Sequence, residues 1–106
     1  DNIRHAYYRL YLRVDPSDLK PEWNRDKIID ELNQLGVPCN MGSCSEIYKE
    51  DAFYGKFVET GYECVNAAKL SAESFCLLVH HRLSEKDIND ISDKVISVLK
   101  NGMKSY

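Results

Sequence analysis

Phe75-Cys76-Leu77-Leu78-Val79 is an unbroken apolar run of strand length, and it limits the fold of this chain more than any other stretch. A strand with one wet face alternates apolar and polar residues. A continuous run belongs to a strand covered on both faces, which puts it at the centre of a sheet. Such a strand needs a neighbour on each edge and further elements over its faces. The first of these follows at once. In Leu83-Ser84-Glu85-Lys86-Asp87-Ile88, Ser84 is an N-cap, Asp87 holds the reciprocal capping position, and Leu83 is placed to staple onto Ile88. Ile88, Ile91, Val95 and Leu99, with Val98 beside them, carry one helical stripe to Lys100 and Gly102.

The sheet's other strands lie upstream. From Ala6 to Val14 the chain alternates, with Tyr8, Leu10, Leu12 and Val14 on a face to be buried and Tyr7, Arg9, Tyr11 and Arg13 opposite. Asp15-Pro16-Ser17-Asp18 is a turn, and a loop continues to Pro21. Asn24 then caps a helix, with Trp23 before it able to staple onto Ile28, and Ile28, Ile29, Leu32 and Leu35 form its apolar stripe. Asp26, Lys27, Asp30, Glu31 and Asn33 stay wet, Gly36 ends the helix in the left-handed region, and Pro38 forbids its return. Val37 to Met41 suits a short edge strand. Glu46 to Phe57 predicts a helical turn or two, Glu59-Thr60-Gly61-Tyr62 is a break, and Cys64 to Glu73 predicts a short helix of small residues. The class is α+β: about three mostly antiparallel strands with helices packed on them, in the order strand, helix, strand, loop, helix, strand, helix.

Length and charge narrow the function. The 106 residues make one domain, 43% hydrophobic and 29% charged, with a net charge of -3 that draws it to neither nucleic acid nor an anionic membrane. No apolar run reaches the length of a membrane span and no signal-peptide pattern is present. The chain begins at Asp1 rather than at a methionine, which points to a piece of something longer. Cys39, Cys44, Cys64 and Cys76 match neither a zinc site nor a disulfide scaffold and read as reduced thiols of a cytoplasmic protein. A metal site from Cys39, Cys44, His80 and His81 is disfavoured, because adjacent histidines on a strand point to opposite faces. The Tyr7, Arg9, Tyr11, Arg13 face has the composition of a base-stacking surface, but such a face is more often half-covered by a neighbour, and the acidic total argues against nucleic acid.

One stretch has no period at all. Between Gly36 and Phe53 the residues are small and polar, and by spacing alone they read as a surface connection, although loops of this kind are often kept for binding.

Nearly the whole chain resembles the C-terminal small domain of the DegT/StrS family of sugar aminotransferases, which are fold-type I enzymes using pyridoxal phosphate. The matching pieces are Tyr8 to Val14, Arg25 to Val37, Gly42 to Phe53 and Cys64 to Leu99. The last is the most specific: Cys64-Val65-Asn66-Ala67-Ala68-Lys69-Leu70, then Ser74-Phe75-Cys76-Leu77-Leu78-Val79-His80, then Leu83-Ser84 and Asp87-Ile88. Val65, Leu78 and His81 stand where the family usually has proline, and Tyr48 where many members carry a histidine near the substrate.

The resemblance implies the C-terminal domain of an aminotransferase acting on a nucleotide-linked keto-sugar, in surface-polysaccharide or secondary-metabolite synthesis. It implies an amino-acid donor, a homodimer of the full-length protein, and pyridoxal phosphate held by the large domain that this chain lacks. No catalytic, cofactor-binding or metal residue is therefore expected here, and the chain alone should be inactive. Its expected part is to cover the sugar with the Asn40–Tyr48 loop, where Asn40, Ser43, Ser45, Glu46 and Tyr48 offer hydrogen bonds to hydroxyls. Two rival readings remain: a free-standing RNA-binding module using the Tyr-Arg face, and a dimeric regulatory domain that binds a small metabolite.

Overall fold

In the computed structural model, which describes residue 2 and residues 6–42, 46–53 and 64–104, the apolar run is the middle of the sheet. Strand β3 (Ser74–Leu78) lies between β1 (Arg9–Arg13) and β2 (Cys39–Met41) and is antiparallel to both. Three helices complete an α+β domain: α1 (Arg25–Gln34), α2 (Val65–Glu73) and α3 (Glu85–Gly102). Leu10, Leu77 and Cys39 stand in one row across the sheet, and Leu12, Phe75 and Met41 in the next. On this face Phe75, Leu77 and Cys39 join Ile28 and Leu32 of α1, Val95 and Val98 of α3, and Leu19 and Val37 from the connections. Ile28, Leu32 and Phe75 are wholly buried.

The helix ends follow the local chemistry. The Asn24 side chain accepts from the Lys27 amide, and α1 closes with Gly36 at a φ of 77°. The Val37 amide donates to the Leu32 carbonyl at 2.9 Å and the Gly36 amide to that of Asn33 at 3.0 Å, the paired bonds of a Schellman turn. Val37 and Leu32 are both in the core, so the turn that ends α1 also seats the next strand. The Asn33 side chain reinforces it by bonding both the N–H and the C=O of Cys39. At the start of α3, Ser84 and Asp87 form the full capping box. Its last turn is stitched to the connection after β1: Lys20 N–H donates to Gly102 C=O and Lys104 N–H to Asp18 C=O, both at 2.9 Å.

Three expectations need correction, and a fourth, that Asn33 stays exposed, holds but needs an addition. The strand is Arg9–Arg13, shorter than Ala6–Val14, and Tyr8 is 81% exposed because it precedes the ladder, its ring lying under the Arg9 guanidinium. Leu35 is exposed rather than part of the stripe, since α1 has already ended and Leu35 is its C-cap. Asn33 is not a merely solvated polar residue, for it clamps β2. His80 and His81 lie beyond the end of β3, so strand alternation does not separate them. Their rings stack with centroids 4.5 Å apart.

Gly102 meets the ring of Trp23 so closely that a Cβ there would sit 2.8 Å from Cδ2. Gly102→Ala should therefore lower stability by about 1–3 kcal/mol, the usual cost of overpacking. Asn101→Ala, at an exposed neighbour, should stay within about 0.5 kcal/mol of wild type. Urea melts of the two variants check this.

Candidate functional site

Glu46 begins two short 3-10 turns, Ile47–Lys49 and Asp51–Phe53, which are the helical turns expected in this stretch. The turns are closed by local bonds: Lys49 N–H to Glu46 C=O at 2.8 Å, and Phe53 N–H to Glu50 C=O at 2.8 Å. Glu46 itself is buried, at 6% exposure. A carboxylate cannot be withdrawn from water without donors around it, and two side chains from its own turn supply them. The Tyr48 hydroxyl donates to Oε1, and Lys49 Nζ donates to Oε2 at 2.8 Å. The Tyr48 oxygen in turn accepts from the Cys64 amide at 3.2 Å, which fastens the turn to the start of α2.

The electrostatics follow from these contacts. The Lys49 ammonium, and after it the Tyr48 hydroxyl, hold the Glu46 carboxyl below its usual range. The hydrogen bond to Glu46 keeps the Tyr48 phenol above its own. Glu46 is therefore a fixed anion and Tyr48 a fixed donor, not a proton-transfer pair at neutral pH.

Of the expected site residues, the structure brings Glu46 and Tyr48 into direct contact. Asn40 is exposed on β2, opposite Cys76, on the sheet face turned away from the core. Ser43 and Ser45 lie outside the described residues. Lys49 and the Cys64 amide were missed. The Glu46-x-x-Lys49 spacing, a turn-length ion pair, was the signal for the first, and nothing in sequence announces the second.

The other chemistry on that face is structural. Arg13 Nε meets Glu73 at 2.6 Å, and Arg9 Nη1 lies 3.5 Å from Cys76 Sγ, so both cations of the Tyr-Arg face turn back onto the domain. Cys39, Cys64 and Cys76 are free thiols, and burial pushes Cys39 up to about 11, leaving it protonated and unreactive at neutral pH. Among the described residues no group of histidine, cysteine and acidic side chains is arranged to hold a metal. None of their helices is long and apolar enough to cross a membrane.

No protein-family model matches the chain, and no curated protein does. Among solved structures it is similar to an aminotransferase from Psychrobacter cryohalolentis, with 41% identity and a TM-score of 0.84. That match covers 92% of this chain and 25% of the other, so the chain spans about a quarter of the length of the aminotransferase it resembles. The likeness is one of sequence and fold together, and it relates the chain to a domain-sized part of an aminotransferase.

The held carboxylate has a pH signature. A carboxyl whose pKa is lowered on folding adds stability above its unfolded value of about 4.3 and loses it as pH falls through the folded value. Glu46→Gln should lower the melting temperature at pH 7, and the gap to wild type should close as pH falls below the unfolded value and through the lower folded one. A gap independent of pH would mean that the charge on Glu46 is not what the turn uses.

Proposed function

We propose that the chain is the C-terminal domain of a pyridoxal-phosphate aminotransferase of the DegT/StrS type, cytoplasmic and homodimeric in its full length. In this reading the enzyme moves an amino group from an amino acid to a nucleotide-linked keto-sugar for polysaccharide or secondary-metabolite synthesis. The observation that carries it is the 41% identity to an aminotransferase over 92% of the chain.

The described residues of this chain do not fit the cofactor's own needs. A Schiff-base lysine must be withdrawn from water or set beside another cation to lose its proton. Among the described residues no lysine is buried, and Lys49 and Lys94 are paired with Glu46 and Asp90. In this reading cofactor attachment belongs to residues outside this chain, and the 106-residue chain alone should give no borohydride-trapped pyridoxal adduct at a single lysine. A stoichiometric adduct would overturn that assignment.

The part left to this domain is to cover the sugar. Asn40 offers an exposed amide at the edge of the sheet, and Ser43 and Ser45 lie in the segment that leads from it to Glu46. Glu46 and Tyr48 give that segment a fixed end, with Tyr48 presenting a hydroxyl where relatives of the proposed family carry an imidazole. The test is kinetic, in the longer polypeptide that contains this chain, with amino transfer to nucleotide-linked keto-sugars as the readout. Tyr48→Phe should lower kcat/KM about tenfold through loss of the hydroxyl's bonds, and Tyr11→Phe should leave it unchanged. Amino transfer to simple 2-oxo acids and to no nucleotide sugar would overturn the substrate assignment. Wild-type kcat/KM in both Tyr48→Phe and Glu46→Gln would remove the loop from the site.

A further inference from the structure

The hydroxyl of Tyr48 has a single proton, and that proton is committed. It is donated to Oε1 of Glu46, a carboxylate only 6% exposed whose other oxygen takes Lys49 Nζ at 2.8 Å. The Lys49 ammonium and then the Tyr48 hydroxyl hold the carboxyl below its usual range, and the bond to Glu46 holds the phenol above its own, so the proton stays on Tyr48. Turning it outward would strip a buried, charged oxygen of its donor, which costs more than the same loss at a neutral group. What Tyr48 has left for a ligand is its oxygen. That oxygen accepts from the Cys64 amide, but at 3.2 Å the bond is long and leaves acceptor capacity. Tyr48 is half-buried and Glu46 almost fully enclosed, so of the pair the phenol is the one a ligand can reach.

We infer that Tyr48 is an acceptor-only contact, which selects substrates by taking a hydrogen bond from a sugar hydroxyl, and that Glu46 is the positioning residue that sets this polarity. This rests on the sugar aminotransferase reading above and deepens it, by fixing which half of the hydroxyl's chemistry the site uses. A sugar hydroxyl satisfies Tyr48 because it can donate. A carbonyl or ether oxygen in the same place brings lone pair against lone pair and gains nothing. Glu46 acts without touching the sugar, by occupying the Tyr48 proton. Lys49 keeps the carboxylate charged, and the Cys64 amide fixes where the phenol oxygen stands.

The test uses the longer polypeptide that contains this chain and a nucleotide-linked keto-sugar that it aminates. Analogues replace each ring hydroxyl in turn by hydrogen, by fluorine, which cannot donate, and by a protonated amine, which donates and cannot accept. At one position hydrogen should cost about tenfold in kcat/KM in the wild type and less than about twofold in Tyr48→Phe. At that position the amine should stay within about threefold of the hydroxyl, and fluorine should fall with hydrogen. Glu46→Ala frees the Tyr48 proton and should narrow the gap between amine and fluorine. A merely structural carboxylate would instead lower every analogue by one factor and leave their ratio unchanged, which overturns the part given to Glu46. An amine as poor as hydrogen means that Tyr48 donates, and overturns the inference. So does the absence of any hydroxyl whose loss is masked by Tyr48→Phe. Should Glu46→Ala not fold, the wild-type and Tyr48→Phe series decide by themselves. A long protein that aminates no nucleotide-linked keto-sugar defeats the parent reading, and this inference with it.

Discussion

Covering β3 on both faces is the constraint that the other elements satisfy. Phe75 and Leu77 point into the core between α1 and α3, and Cys76, on the opposite face, is almost as fully buried. On that second face the cover is polar. The Cys76 thiol donates to the Met41 carbonyl at 3.3 Å and lies under the Arg9 guanidinium. The two faces of one strand are thus closed by different means, apolar packing on one and an arginine-capped thiol on the other. β2 can be as short as Cys39–Met41 because the Schellman turn and the Asn33 clamp fix it independently of ladder length.

The same strand begins with no loop before it. α2 ends at Glu73 and β3 starts at Ser74, so the chain passes directly from helix to strand. The last carbonyls of any helix lack intrahelical donors, and its C-terminal end favours a cation. Arg25, in the first turn of α1, meets both needs: Nη1 donates to Ser71 C=O at 3.0 Å and to Ser74 C=O at 2.8 Å. The Glu73 carbonyl accepts from the Val14 amide at 3.0 Å, and its carboxylate pairs with Arg13. Two arginines from distant parts of the sequence therefore hold a junction that backbone bonding alone leaves open.

This division explains what could be read from sequence. The elements whose signals are local were legible: the capping box at Ser84, the Asn24 cap, the left-handed Gly36, the central apolar run. Their bonds span a few residues, so the spacing carries them. Arg25 at Ser71, Glu73 at Arg13 and Tyr48 at the Cys64 amide join residues 46, 60 and 16 apart, and no period or composition encodes such a pairing. Tyr8 misled for a related reason. Alternation marks which residues can share a face, but the ladder needs a partner, and β3 ends at Leu78 opposite Arg9. In the candidate segment the lack of period read as a surface connection and only the resemblance singled it out, while the burial of Glu46 was not legible at all, since a charged residue in a polar stretch reads as solvated.

The site and α2 depend on each other. Cys64 occupies the N-cap position of α2 but supplies no side-chain cap, and its own amide is satisfied by the Tyr48 oxygen. At its other end α2 is fixed by Arg25 and by its direct passage into β3. The turn from Glu46 to Phe53 is held within itself by bonds two to three residues long, so it moves as one piece if it moves at all. Any shift of that piece changes the partner of the Cys64 amide before it reaches the sheet. The first turn of α2, rich in small residues and exposed at Val65 and Asn66, is then the part that yields. The central strand, anchored at Ser74 and buried on both faces from Phe75 to Leu77, does not. In the role proposed above, a fixed sheet with this turn held to the start of a helix would let a covering segment adjust to a ligand without disturbing the core that positions it.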